Sequence, residues 1–127
     1  MRENELAKLI VDAAYIIHVA LGPGLLESVY HHALVYELKK RGLLIEVEVP
    51  IPVMYDGLNL GEGFRADIIV ENKVIIELKS VEKIAPVHQK QLLTYLRLAD
   101  KHLGLLINFG APLIKHGITR IVNGLED

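Results

Sequence analysis

The apolar positions Leu6, Leu9, Ile10, Ala13, Ile17 and Ala20 recur at steps of three and four, which predicts an amphipathic helix over residues 4–20. Leu21-Gly22-Pro23-Gly24 ends it: Pro23 has no amide hydrogen, and the flanking glycines admit conformations closed to other residues. A second stripe, Leu26, Val29, Tyr30, Ala33, Leu34 and Leu38, predicts a helix over 25–41 that stops at Gly42 after the basic turn Lys39-Lys40-Arg41. The period then shortens to two. Ile45, Val47 and Val49 alternate with Glu46 and Glu48, so a strand over 43–49 is expected with those three apolar residues on one face and a solvated face opposite. Pro50 and Pro52 make its continuation an edge or a bulge, and Asp56-Gly57 between Met54-Tyr55 and Leu58-Asn59-Leu60 is a hairpin signal.

Through Gly61-Glu62-Gly63 the chain enters FRADIIVENKVIIELKS, residues 64–80, which reads as two apolar strands joined by a tight polar turn. Ala66, Ile68 and Val70 are expected on one face, Ile69 and Ile75 on the other, a pattern of strands covered on both sides. Register decides the chemistry of this stretch. If the loop is Glu71-Asn72-Lys73, Val70 pairs with Val74 and Asp67 lies opposite Glu77, on the face that also carries Lys79. A slip of one residue puts the two carboxylates on opposite faces. Pro86 suits the first turn of a helix over 87–99, on which Gln91, Thr94, Tyr95 and Leu98 are neighbours. A buried strand over 103–109 and a last strand over 117–122 follow. This order predicts an α/β fold with a mixed sheet, the third helix acting as the crossover that brings the buried strand parallel to the hairpin.

At 127 residues the chain is expected to form one domain, 1–127, with a core that needs no disulfide or structural metal. Zero cysteines excludes a disulfide scaffold, a thiolate zinc site and thiol catalysis, and fits a reducing compartment, the cytoplasm by default. The N-terminal apolar run is interrupted by Asp12 and His18 and reads as neither a signal peptide nor a membrane span. A net charge of −2 gives no overall attraction to phosphate backbones. Affinity for nucleic acid must therefore come from a local basic patch or from metal ions.

The sharpest candidate chemistry is Asp67, Glu77 and Lys79. Two carboxylates facing one another across a hairpin repel unless a cation lies between them, and a divalent ion with oxygen ligands is the natural one. Lys79 can orient a water or stabilise charge developing on a phosphoryl group, and the Leu78 carbonyl offers another ligand. The competing reading is a solvated strand end or a salt bridge; against it, Ile75-Ile76 and Leu78 mark an interior strand, where an unpaired carboxylate is costly. Glu27, in the first turn of the second helix, suits either a dipole contact or a third acidic ligand, and Tyr30, three residues on, can position it. Gln91 and Tyr95 share a helix face, as a plain surface or as site residues, with His88 a candidate substrate contact. His31-His32 diverge by about 100° around a helix and cannot readily chelate one ion, so both are read as surface or interface residues. A Ser/His/Asp triad has no support, since neither Ser28 nor Ser80 sits in a nucleophile-elbow context.

Taken together, Gly24-x-x-Glu27-x-x-Tyr30, Asp67, Glu77-x-Lys79, His88-x-x-Gln91-x-x-x-Tyr95-Leu96 and Gly104-Leu105-Leu106-Ile107-Asn108-Phe109-Gly110 resemble the GxxExxY proteins, a branch of the PD-(D/E)xK nuclease superfamily. The resemblance implies a restriction-endonuclease-like αβββαβ core with helices flanking a mixed sheet. It implies Asp67, Glu77 and Glu27 as metal ligands, Lys79 as the catalytic lysine, Glu27 and Gln91 as further catalytic members, and Tyr30, His88 and Tyr95 in substrate-binding or supporting places. Mg²⁺ or Mn²⁺ would activate water for attack on a phosphodiester. Ala66 stands where the superfamily name has Pro, a position without chemistry of its own. The expected protein is a metal-dependent nuclease acting on nucleic acid, DNA first, as a homodimer gripping a duplex and with no membrane partner. A non-catalytic nuclease-fold module, binding nucleic acid or a protein, is the alternative.

Overall fold

The change of period after Gly42 marks where the chain leaves two helices for a sheet. In the computed structural model, which describes residues 1–126, the elements run α1 (Glu3–Leu21), α2 (Glu27–Lys40), β1 (Ile45–Tyr55), β2 (Leu58–Val70), β3 (Val74–Lys79), α3 (Pro86–Ala99), β4 (Leu103–Asn108), α4 (Ile114–Gly117) and β5 (Ile118–Val122). The strands form one sheet in the order β1-β2-β3-β4-β5; β3 and β4 are parallel, and the other neighbours are antiparallel. The α3 crossover makes that parallel pair, as the element order predicts. Only α4, a single turn, falls where the sequence pattern gives a plain connection. Among the described residues no helix is long and apolar enough to cross a membrane.

Two cores cover the two faces of the sheet. On one side Leu6 and Ile10 of α1 and Leu34 and Leu38 of α2 pack on Ile76, Leu78, Leu105 and Ile107; on the other, Leu92 and Leu96 of α3 pack on Ile75 and Leu106. Gly104 lets α3 lie close, since a Cβ there would stand 2.9 Å from Leu92 Cγ. This places β3 in the interior, buried on both faces except at Glu77 and Lys79.

The β2–β3 hairpin takes the register on which the chemistry depends: Ile68 opposite Ile76, Ile69 opposite Ile75, Val70 opposite Val74. Its loop is Glu71-Asn72-Lys73, with Glu71 and Asn72 both left-handed (φ 52° and 55°), and Lys73 N–H donates to Val70 O at 2.9 Å. β1 is an edge strand, and its ladder with β2 shifts register on either side of Pro52. At the far end Asp56 and Gly57 form a two-residue turn with φ 51° and 77°.

Two expectations about this region are corrected. Gly61-Glu62-Gly63 does not separate two hairpins, because β2 runs through it without a break. Gly63 serves close strand approach: a Cβ there would collide with Val53 Cγ2. Nor does each strand keep one apolar face. Ile45, Ile68 and Val70 pack on the α1–α2 side, whereas Val49, Ile51, Phe64 and Ala66 pack on the α3 side, where Phe64 stacks on Tyr95 with centroids 3.9 Å apart. Val47 still pairs with Ile68 and Val49 with Ala66, so no residue is inserted. The switch falls on the intervening positions, Glu48 and Asp67, where no backbone pair forms and Glu48 takes a left-handed conformation (φ 49°).

Candidate active site

Asp67 stands at that switch. The register places it across from Glu77, yet the regular pairs of β2 and β3 stop at Ile68 and Ile76, and side chains take over from the ladder. Asp67 N–H donates to Glu77 Oε1 at 3.3 Å, and Leu78 N–H donates to Asp67 Oδ2 at 2.9 Å. The two carboxyls are thus neighbours in a half-buried setting. Burial, reinforced by the Asp67 charge, pushes the Glu77 carboxyl up to about 8, against the opposing pull of Lys79. The Glu77 carboxyl thus holds its proton more tightly than an ordinary carboxyl does, and a cation can take that proton's place.

Lys79 closes β3, half-buried, paired with Asn108 of β4, and its carbonyl accepts from Phe109 N–H at 2.9 Å. The loop beyond it is held by Asn108, whose amide mimics a missing strand: Oδ1 accepts from Val81 N–H and Gly110 N–H (3.0 Å each), and Nδ2 donates to Val81 O at 2.9 Å. Ser80 Oγ donates to Leu25 O at 2.6 Å, which ties the end of β3 to the approach to α2. In the first turn of α2, Glu27 has its carboxyl raised by burial and by Asp67, while Lys79 and His31 oppose the shift. Its environment is therefore that of the acid pair. It shares with Asp67, Glu48, Ser28, His31 and His32 a cavity of about 460 Å³ between α2 and β1.

The other expected residues divide. Tyr95 belongs to the neighbourhood: its phenol is pushed up by burial, then by Glu77 and Asp67, which keeps it a hydrogen-bond donor. Gln91, one turn earlier on α3, is exposed and makes no side-chain bond among the described residues. Tyr30 does not hydrogen-bond Glu27. It is fully buried, stacks on Phe109 at 4.6 Å, donates to Gly22 O at 2.6 Å and accepts from Leu25 N–H at 3.1 Å, so it braces the turn from which α2 starts. His88 faces its own helix, Nδ1 accepting from Ala85 N–H at 3.3 Å, because the amides at a helix start lack partners within the helix.

His31 is the residue that the sequence reading sets aside and the structure brings in. Its Nε2 lies 3.2 Å from Asp67 O and 3.7 Å from Glu48 Oε1. The signal available in the sequence is the i, i+4 spacing of Glu27 and His31, which puts both on one face of α2.

The donor set suits a hard divalent cation. Asp67 and Glu77 present carboxylate oxygens side by side, and an ion of the magnesium class needs only one or two carboxylates because it keeps most of its waters. Glu27 does not complete a closed set: among the described residues no three His, Asp or Glu side chains gather closely enough to enclose an ion. The arrangement is an open site with two adjacent acids, a third acid coupled by charge, and an ammonium at the strand end.

The solved structure of SSO0001 is similar, with a TM-score of 0.57 and 27% identity over 79% of this chain and 52% of that one. The chain thus spans about half the length of that structure. No curated protein matches it. The family model described as the PD-(D/E)XK nuclease superfamily matches residues 4–121, which takes in nearly all of α1, the acid pair, Lys79 and all of the sheet but its last residue. With the mixed five-strand sheet flanked by helices in agreement, the chain belongs to the PD-(D/E)XK nuclease superfamily.

Proposed function

We propose that this protein, in the GxxExxY branch of its superfamily, is a metal-dependent nuclease that hydrolyses phosphodiester bonds of nucleic acid, with DNA as substrate. The observation that carries the reading is the half-buried pair of Asp67 and Glu77 beside Lys79, with the Glu77 carboxyl pushed up to about 8. Asp67 and Glu77, with the Leu78 carbonyl, would hold Mg²⁺ or Mn²⁺, and Glu27 would act on it from the side of α2. When bound, such an ion supplies Lewis-acid activation of water and of the phosphoryl group. Lys79 keeps a positive charge where negative charge grows on the phosphoryl oxygens. Tyr95, held protonated, is a donor toward the same region, and Gln91 is free to reach substrate from α3. A homodimer gives so small a domain the reach to grip a duplex, and the lack of cysteine supports action in the cytoplasm.

A second reading, a non-catalytic binding module, is favoured by charge. The net charge is −2, and the cavity beside the acid pair carries Glu27, Glu48 and Asp67, a wall that repels phosphate unless a cation intervenes. The experiment is cleavage of single-stranded, duplex and branched DNA and of RNA by the purified protein with Mg²⁺ or Mn²⁺, beside Asp67→Ala and Lys79→Ala. Metal-dependent cleavage lost in both variants supports the nuclease. Binding of these substrates without cleavage under any metal supports the module.

A further inference from the structure

Each polar group of Asp67 has a partner outside the regular strand pairs. Its N–H goes to the Glu77 carboxyl, its carboxylate accepts from Leu78 N–H, and its carbonyl oxygen lies 3.2 Å from His31 Nε2. The ladder is interrupted there on both sides: toward β3 the pairs end at Ile68–Ile76, and toward β1 no pair joins Glu48 to Asp67. A carbonyl oxygen only accepts, so His31 Nε2 carries a hydrogen and donates it. His31 and Asp67 are half-buried, and taking that donor away costs the Asp67 carbonyl a hydrogen bond where water has only partial access.

We propose that His31 is a positioning residue for the candidate active site: its imidazole replaces the missing ladder bond at Asp67 and so fixes where the Asp67 carboxylate stands relative to Glu77. Glu48, 3.7 Å from the same Nε2, flanks the ring where the strand changes face. The role differs from that of Glu27, one turn earlier on α2, which meets the acids through charge rather than through the backbone. It also gives a reason for the left-handed Glu48: by leaving the regular ladder at this point, β1 makes room for a side chain to serve the Asp67 carbonyl.

The inference rests on the nuclease reading only for its catalytic consequence; the geometric claim stands without it. The test compares His31→Leu, which removes the donor, with His31→Gln, whose amide nitrogen reaches about as far as Nε2. In metal-free protein, hydrogen exchange at the Leu78 amide is measured against amides of β4. His31→Leu is expected to raise Leu78 exchange relative to β4 and His31→Gln to keep it near wild type. Calorimetry with Mn²⁺ is expected to show affinity weakened about 10- to 100-fold by His31→Leu and largely retained by His31→Gln. If both variants match wild type, or both lose protection and affinity equally, the proposal is overturned. Where the exchange and calorimetric pattern holds but wild type cuts no substrate, the nuclease reading fails while the positioning role stands.

Discussion

The inner and outer halves of β2 share one ladder with β1 and yet treat their apolar residues oppositely. Inside, Ile68 and Val70 follow strict alternation onto the α1–α2 core; outside, Phe64 and Ala66 pack under α3. The inner half is an ordinary buried strand, covered on both faces, whose register is enforced because a one-residue slip would send every side chain it carries to the opposite core. The outer half runs on into a two-stranded arm with Tyr55, Leu58 and Leu60 exposed. Asp67 stands between them, at a level where β2 bonds to side chains of β3 and α2. The contrast teaches that the site is built where the sheet stops being regular: a residue committed to two ladders has no freedom to place a carboxylate, and one released from both is placed by the groups it must work with.

The sharpest way to break this comparison is at the junction. Asp67→Asn keeps the size and a hydrogen-bonding oxygen, so the protein is expected to fold, while cleavage falls by about 10²–10⁴-fold or below detection. Retained cleavage would remove Asp67 from the site. Next come the two halves themselves. Ile68→Ala, at a fully buried position, is expected to cost about 2–5 kcal/mol in denaturant unfolding, and Leu60→Ala, 60% exposed on the arm, no more than about 0.5 kcal/mol. Equal costs would erase the distinction.

A third effect is read in pH. Glu77 binds its proton more tightly in the folded chain, about 8 against an ordinary 4.5, so its contribution to stability is complete below about 4.5 and is lost as pH rises through 8. Metal-free protein should weaken over that window, and Glu77→Gln should flatten the slope. A slope unchanged in Glu77→Gln would place the titration elsewhere. The smallest effect tests the change of face. A double-mutant cycle on Phe64 and Tyr95, stacked in the α3 core, should return about 0.5–1.5 kcal/mol of coupling. Zero coupling would mean that the outer half does not pack on α3.

Much of the fold was legible because its determinants are local. The Glu71-Asn72-Lys73 loop lies between two apolar runs, and of the registers the sequence admits the hairpin takes the one that brings Asp67 to Glu77. The α3 crossover and the edge character of β1 followed from element order and from Pro50 and Pro52. What was missed depends on contacts no spacing displays. Gly61 and Gly63 looked like punctuation because glycine in a turn and glycine under a neighbouring Val53 are the same letter. His31 was judged as half of a histidine pair, whereas its partner is a backbone carbonyl 36 residues away. The spacing of Tyr30 from Glu27 suggests a bond to the acid, but its hydroxyl serves the turn before α2.

Leu25, whose N–H meets the Tyr30 hydroxyl and whose carbonyl meets Ser80, joins parts of the chain that lie far apart in sequence. Asp67 and Glu77 come together by closing a three-residue loop, an inexpensive and local event, whereas the Ser80–Leu25 bond spans 55 residues and the Asn108 clamp on Val81 waits for β4 to dock. A chain that has formed only its central hairpin thus carries two crowded acids with Lys79 on the same strand as Glu77, and Glu27 of α2 not yet gathered to them. The full constellation is gathered only in the finished domain, so the proposed hydrolysis, like the buried core, would belong to the completely folded chain.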